Sequence, residues 1–135
     1  MSFTGPLEDR LAIRELIDTY GDAVIRRNAD DWANCWAEDG MWVIRGREIV
    51  GRAALRETWL GAMANYESVG FFANPGMVDI QGDTASGRTQ TLEFLVPSDG
   101  GKRRAQVGLY EDKFVKRGGR WYFASRSFNI VQAGN

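Results

Sequence analysis

Among the carboxylates of this chain, Glu93 has the setting in which proton abstraction from carbon is chemically reasonable. It stands inside the apolar run Leu92 to Val96, where loss of hydration favours the neutral acid and moves its pKa towards neutrality. A sheet-edge position or a salt bridge is the other reading of the same residue, and both stay open. Asp112 and Arg126 fall on strands expected to be neighbours. They can form a structural ion pair or belong to a catalytic set. Asn74, just ahead of Pro75, either donates to a substrate oxygen or turns the chain. Trp32, Trp36, Trp42, Trp59, Phe71, Phe72 and Met63 can wall a pocket for a flat, apolar ligand; plain core packing uses the same residues.

Residue type excludes other chemistries. The sequence has no histidine, which removes imidazole acid–base catalysis, every Ser-His or Cys-His arrangement and all histidine metal ligands. Cys35 is the single cysteine, so no intrachain disulfide or thiolate metal cluster can form. Gly82-Asp83 and Gly100-Gly101 read as turns without phosphate-loop spacing, and no cofactor is expected. Seventeen Lys and Arg against 18 Asp and Glu leave a net charge of −1. No basic excess is present to neutralise a phosphate backbone, so nucleic acid is not an expected partner.

The elements that must position these groups follow from length and pattern. The 135 residues are 44% apolar and 26% charged, which fits a single domain over 1–135. No stretch approaches the ~20 apolar residues of a spanning helix. Met1 to Gly5 is short and polar, so a cytoplasmic protein away from the membrane is expected. Apolar positions at Leu7, Leu11, Ile13, Leu16, Ile17, Tyr20 and Val24 step by threes and fours, the mark of a helix with one buried stripe. On that helix Asp22 points away from the Tyr20 face. Arg27 returns close to it, and serves either a pocket rim or the helix end. Asn28 is expected to cap a second helix from Asp30 to about Ala37, followed by a strand Met41–Ile44 and another at Arg47–Val50. Leu55, Trp59, Met63 and Tyr66 predict a third helix from Arg52 towards Gly70.

Beyond it, turn clusters at Gln81-Gly82-Asp83, Pro97 to Gly101 and Arg117-Gly118-Gly119 separate strands near Phe71–Ile80, Thr84–Val96, Arg103–Lys116 and Arg120–Val131. Short connections make them antiparallel neighbours. Strict alternation groups Thr89, Thr91, Glu93 and Leu95 on one face, and likewise Gln106, Gly108, Tyr110, Asp112 and Phe114. On the last strand it sets Trp121, Phe123, Ser125, Ser127 and Asn129 against Tyr122, Ala124, Arg126 and Phe128. The expected class is α+β: three N-terminal helices on a strongly curved, mainly antiparallel sheet.

Several local motifs occur in a telling order. They are Leu11-Ala12-Ile13-Arg14-Glu15-Leu16 with Tyr20, Asp31-Trp32, Trp36-Ala37-Glu38-Asp39-Gly40 before Trp42, and Gly51-Arg52-Ala53-Ala54-Leu55. Asn74-Pro75, Gly82-Asp83-Thr84-Ala85, Tyr110-Glu111-Asp112-Lys113-Phe114 and Gly119-Arg120-Trp121 follow. Across nearly the whole chain this resembles the SnoaL-like branch of the nuclear-transport-factor-2-like superfamily. The resemblance implies a cone-shaped α+β barrel with a pocket at its wide end, and a homodimer or homotrimer. Members include polyketide cyclases, scytalone dehydratase and ketosteroid isomerase, but also non-catalytic small subunits of ring-hydroxylating dioxygenases, so fold alone does not decide function.

Residue by residue, the resemblance is incomplete. The aspartate of the branch's Asp-His dyad falls on Ile25 and its histidine on Gly70, so the dyad is missing. Against the isomerase pattern, the base falls on Ile44, whereas Tyr20 resembles the oxyanion-binding tyrosine and the second donor falls near Asp112. The resulting expectation is a cofactor-independent enzyme of lyase or isomerase type acting on a small hydrophobic, aromatic or polycyclic molecule. Tyr20, Glu93 and Asp112 are its catalytic candidates, and Trp36, Trp42, Trp59, Phe72, Asn74 and Arg126 its binding candidates. A non-catalytic ligand-binding protein or accessory subunit is the alternative. An epoxide hydrolase, which needs an Asp–Arg–Asp cluster, is a third reading.

Overall fold

A computed structural model describes residues 2–134. Helix α1 (Leu7–Arg26) carries Glu8 and Asp9 in its first turn, where carboxylates suit the positive end of the helix dipole. Its buried stripe is Ile13, Leu16, Ile17, Tyr20, Ala23 and Val24. Leu7 and Leu11 continue the spacing but lie exposed; the first turn meets the sheet through Asp9, whose Oδ1 accepts from Trp121 Nε1 at 2.9 Å and from Lys116 Nζ at 3.1 Å. Arg27 closes the helix in the left-handed region (φ 55°), its N–H reaching the carbonyls of Ala23 and Val24.

Asn28 caps α2 (Ala29–Asn34), its side chain accepting from the Asp31 N–H at 3.0 Å. The helix stops three residues short of expectation. Trp36 already belongs to strand β1 (Trp36–Ile44), opposite Phe123, and its carbonyl takes two hydrogen bonds from the Arg52 guanidinium at 2.6 and 3.0 Å. Gly40 makes the irregular start of β1 possible: a Cβ there would stand 3.0 Å from the Ala37 carbonyl and 3.2 Å from the Trp36 ring. Strand β2 (Arg47–Val50) pairs back through a two-residue turn, Arg45-Gly46. Both turn residues have positive φ, 53° and 72°, as a right-twisted hairpin needs. For arginine that conformation costs roughly 1–2 kcal/mol.

Helix α3 (Arg52–Met63) also ends early. Tyr66 continues the helical spacing, yet Tyr66 to Gly70 is extended in β3 (Tyr66–Gln81), paired with Pro97 to Phe94. A ladder of backbone hydrogen bonds outweighs one more turn of apolar periodicity. The remaining strands are β4 (Thr84–Pro97), β5 (Arg104–Arg117) and β6 (Arg120–Ala133). They form one sheet of order β2-β1-β6-β5-β4-β3, mixed because β1 runs parallel to β6 and otherwise antiparallel. The sheet is curved and open rather than closed into a barrel, and α1 lies across β3 and β6 on its concave face.

One irregularity changes which residues face inward. Lys113 pairs with Ser125 and Phe114 with Phe123, so Ala124 has no partner on β5. This bulge reverses the phase of β6, and Phe123 and Arg126 both become fully buried on the concave side. Strict alternation sets them on opposite faces.

Candidate active site

The concave face of the sheet and the helices enclose a cavity of about 590 Å³. Tyr20 and Val24 of α1 line it, together with Trp42 and Ile44 of β1, Trp59 and Met63 of α3, Val69 and Phe71 of β3, Glu93 and Leu95 of β4, Gln106 and Tyr110 of β5 and Phe128 of β6. The wall is therefore mainly aromatic and aliphatic. Trp59 stacks on the buried Trp32 with centroids 5.1 Å apart, and Trp42 meets Trp32 edge-on at 5.5 Å, arrangements that fix the rings beyond their burial alone. Gly108 contributes by lacking a side chain. A Cβ there would lie 2.2 Å from the Phe128 ring, so glycine lets Phe128 settle against Tyr110, centroids 4.7 Å apart.

Two sets of polar groups reach the cavity. At its floor the hydroxyls of Tyr20 and Tyr110 stand 3.4 Å apart. Burial raises the Tyr20 pKa, with the Arg126 cation opposing the shift, and burial raises Tyr110 further still. Both remain neutral donors at physiological pH, and a pair sharing one hydrogen bond keeps a second proton for a ligand. Higher on the wall is Glu93, half-buried, with Gln106 Nε2 3.5 Å from its Oε1. Desolvation raises its pKa, while the Gln106 amide and the Arg104 cation pull it back. The Trp42 indole N–H, also in this wall, is buried without a partner.

Beneath the tyrosines is a closed polar cluster. Arg126 donates to Asp112 through Nε at 2.7 Å and Nη2 at 3.1 Å, and Thr89 Oγ1 donates to Asp112 Oδ2 at 2.8 Å. The guanidinium lies 3.7 Å from the Tyr110 ring centroid, 4.2 Å from that of Phe123 and 4.5 Å from that of Tyr20. Asp112 and Arg126 are 2% and 1% exposed. Both oxygens of the carboxylate are engaged by protein.

The structure divides the expected site residues into three groups. Tyr20, Glu93, Trp42 and Trp59 line the cavity. Asp112, Arg126 and Trp36 lie outside the lining, in the packed layer behind it. Asp112 and Arg126 take the ion-pair arrangement of the two readings, Asp112 being held by Arg126 and Thr89; the expectation for Trp36 as a binding residue is corrected, since it packs against Tyr20 and Phe123. Phe72 and Asn74 are corrected in the other direction. Both lie away from the cavity on the convex face, Phe72 edge-on to Phe94 at 6.3 Å and Asn74 paired in the ladder with Gln90. Ile25 is exposed and Gly70 faces Phe94, so neither dyad slot points into the cavity. The inward positions beside them are Val24, Val69 and Phe71, which carry no acid or base.

Arg27 serves the helix end. Its Nη2 donates to the carbonyls of Tyr66 at 2.6 Å and Met63 at 3.3 Å, and it does not line the cavity. Asp22 pairs with Arg26 at 2.8 Å in solvent. Burial pushes the Cys35 thiol up to about 12, which makes it an inert core residue. Among the described residues no three Cys, Asp or Glu side chains converge as metal ligands, and no helix is long and apolar enough to cross a membrane. Sequence reasoning gives Tyr110 and Gln106 no role, although it sets them on one face with Asp112. Their signal is the shared parity of that strand.

Fold and cavity together define an NTF2-like α+β cone. The SnoaL-like domain family matches residues 5–127, and the chain belongs to that family. Curated protein sequences give no match. Solved structures do. An NTF2-like protein with a cystatin-like fold from Novosphingobium aromaticivorans is 29% identical with a TM-score of 0.78, covering 93% of this chain and 84% of its own. A variant of Rv3472, a function-unknown protein from Mycobacterium tuberculosis, is 27% identical with a TM-score of 0.83, covering 94% and 79%. The hexachlorocyclohexane dehydrochlorinase LinA-type3 from Novosphingobium barchaimii LL02 is 19% identical with a TM-score of 0.84, covering 94% and 89%. At that identity the last likeness speaks for the fold.

Proposed function

We propose that the protein is a cofactor-independent enzyme of lyase or isomerase type, acting on a small hydrophobic molecule with an aromatic or polycyclic body. The observation that carries this reading is the position of Glu93: a half-buried carboxyl on the wall of an apolar cavity whose floor bears the paired hydroxyls of Tyr20 and Tyr110. Glu93 takes a proton from a carbon beside a carbonyl. The C–H electron pair moves into the carbonyl, and the oxyanion is held by a tyrosine hydroxyl. Collapse of the enolate then expels a neighbouring leaving group, or Glu93 returns its proton to a different carbon. No electrons are gained or lost; in the isomerisation the proton count closes on Glu93, and in the elimination Glu93 passes its proton to the departing group or to solvent.

The family fold supports the reading, since a structural neighbour is a dehydrochlorinase. The missing Asp-His dyad directs the base role to Glu93 and away from α1. A non-catalytic accessory subunit is the second reading, supported by the apolar convex face at Phe72, Leu92 and Phe94. That face equally suits a homodimer or homotrimer of an enzyme, which is the assembly we propose. The open cavity favours the enzyme. The test is proton exchange in D2O with carbon acids of the right size, 2-tetralone and 1-indanone, followed by NMR. Enzyme-dependent deuterium uptake that disappears in Glu93→Gln supports the proposal; uptake no faster than buffer, or unchanged by the substitution, overturns it.

A further inference from the structure

The rim of the cavity has an electrostatic character that the apolar interior does not explain. Arg45 and Arg47, from the β1–β2 hairpin, line the cavity itself. Arg45 also lines an adjoining groove of about 640 Å³ with Asn65, Tyr66, Lys102 and Arg104, so that cavity and groove are continuous at the mouth. Arg104 is held in place there: its Nη2 donates to the Tyr66 hydroxyl at 2.8 Å and its guanidinium lies 5.7 Å from that ring's centroid. Among the described residues none of these four cations forms an ion pair with a carboxylate. The acid lining the groove is Asp99, whose Oδ1 already accepts from the Gly101 N–H at 2.8 Å.

A chain of net charge −1 thus gathers four unpaired cations around one opening. Arg45 does so from a left-handed backbone position (φ 53°) that glycine or asparagine would occupy at less cost. Strain kept at a cavity mouth is a pointer to ligand contact. We infer that the substrate is amphipathic: its apolar body enters the cavity, and an anionic oxyacid group, carboxylate or phosphate, stays in the groove against Arg45, Lys102 and Arg104. Two guanidinium forks match the geometry of such a group. The anchor also fixes which carbon of the buried body faces Glu93; it rests on, and deepens, the reading of the site given above.

A matched pair of dyes tests it. 1-Anilinonaphthalene-8-sulfonate and N-phenyl-1-naphthylamine share one apolar body, and the first adds an anionic group. Binding is followed by energy transfer from the tryptophans, of which Trp42 and Trp59 line the cavity. The sulfonate should bind at least about tenfold more tightly, lose that advantage as salt screens the rim, and lose it again in Arg45→Gly. That variant suits the positive φ, and Arg104→Gln is the second. Binding of the neutral dye should not change in either. Val69→Trp, which brings a larger ring to an inward position of the cavity wall, should weaken both. 2-Naphthoate and 2-naphthyl phosphate compete with the sulfonate, and the stronger competitor identifies the oxyacid. Equal, salt-insensitive binding of the two dyes overturns the anion anchor and leaves the cavity reading standing. Failure of either dye to bind, or binding indifferent to Val69→Trp, overturns the cavity reading and the anchor with it.

Discussion

The layer beneath the floor of this cavity and its wall both carry buried or half-buried charge, and they do opposite things with it. Beneath the floor Asp112, Arg126 and Thr89 satisfy one another, and the guanidinium is enclosed by the rings of Tyr20, Tyr110 and Phe123. On the wall Glu93 has one long contact with Gln106 and faces the cavity. Depth of burial therefore does not identify chemistry. A carboxylate with its acceptors filled holds strands together, and a carboxylate left short of partners is available to a substrate.

Four variants probe the two regions, and a fifth, away from both, serves as the reference. Asp112→Ala should have the largest effect. It strands a fully buried guanidinium and costs about 3–5 kcal/mol, read as a lowered midpoint in urea. Asp112→Leu with Arg126→Met should recover much of that loss, because removing both charges removes the desolvation penalty too. If the double variant is no more stable than the single one, the layer beneath the floor is more than a structural pair.

Glu93→Gln should lower carbon-acid exchange by roughly 10³-fold while raising the melting temperature at pH 7. The sign follows from its raised pKa. The folded state holds this proton more tightly than the unfolded state. Stability is therefore greatest below the ordinary carboxyl pKa and declines as pH rises through the interval up to the raised value. Exchange by the wild type rises across that same interval, since only the carboxylate accepts a proton. Melting curves collected from pH 4 to 8 should show this slope in the wild type and not in Glu93→Gln.

Tyr20→Phe should slow exchange by about 10²-fold, the usual effect of one oxyanion donor, with little change in affinity for the neutral dye. An unchanged rate would assign the donor role to Tyr110 alone. The smallest effect is expected at Asn28→Ala, which removes the cap of α2 for about 1 kcal/mol. It lies away from both regions and should leave exchange untouched.

Much of the architecture is legible from local pattern. The stripe from Ile13 to Val24, the cap at Asn28 and the turn clusters after Gln81, Pro97 and Arg117 each state a local preference that the fold obeys. What escapes is set by pairing across long sequence distance. Trp36 and Tyr66 carry helical spacing but are drawn into strands by Phe123 and Pro97. The parallel contact of β1 with β6 has no local signature at all. In the site, parity correctly groups Glu93 with Thr91 and Leu95 but does not say which face is hollow, and Phe72 and Asn74 fall on the wrong side. Asp112 has the right parity and the wrong depth. Period two gives direction, while distance from a cavity depends on what the helices cover.

The unpaired Ala124 shows how such a wall can be rewritten. From Ser125 to Ile130 the side chains of β6 owe their direction to one surplus residue. Without that bulge, strict alternation onward from Phe123 would turn Arg126 out to water and swing Ser125 and Ser127 inward, altering the lining without replacing a single amino acid, whereas deletion of Ala124 itself would close the ladder with Asp112 still opposite Arg126. Gain or loss of such a bulge in this strand is thus a route by which related cones can exchange a charged foundation for a neutral one, and diverge in chemistry faster than their percentage identities record.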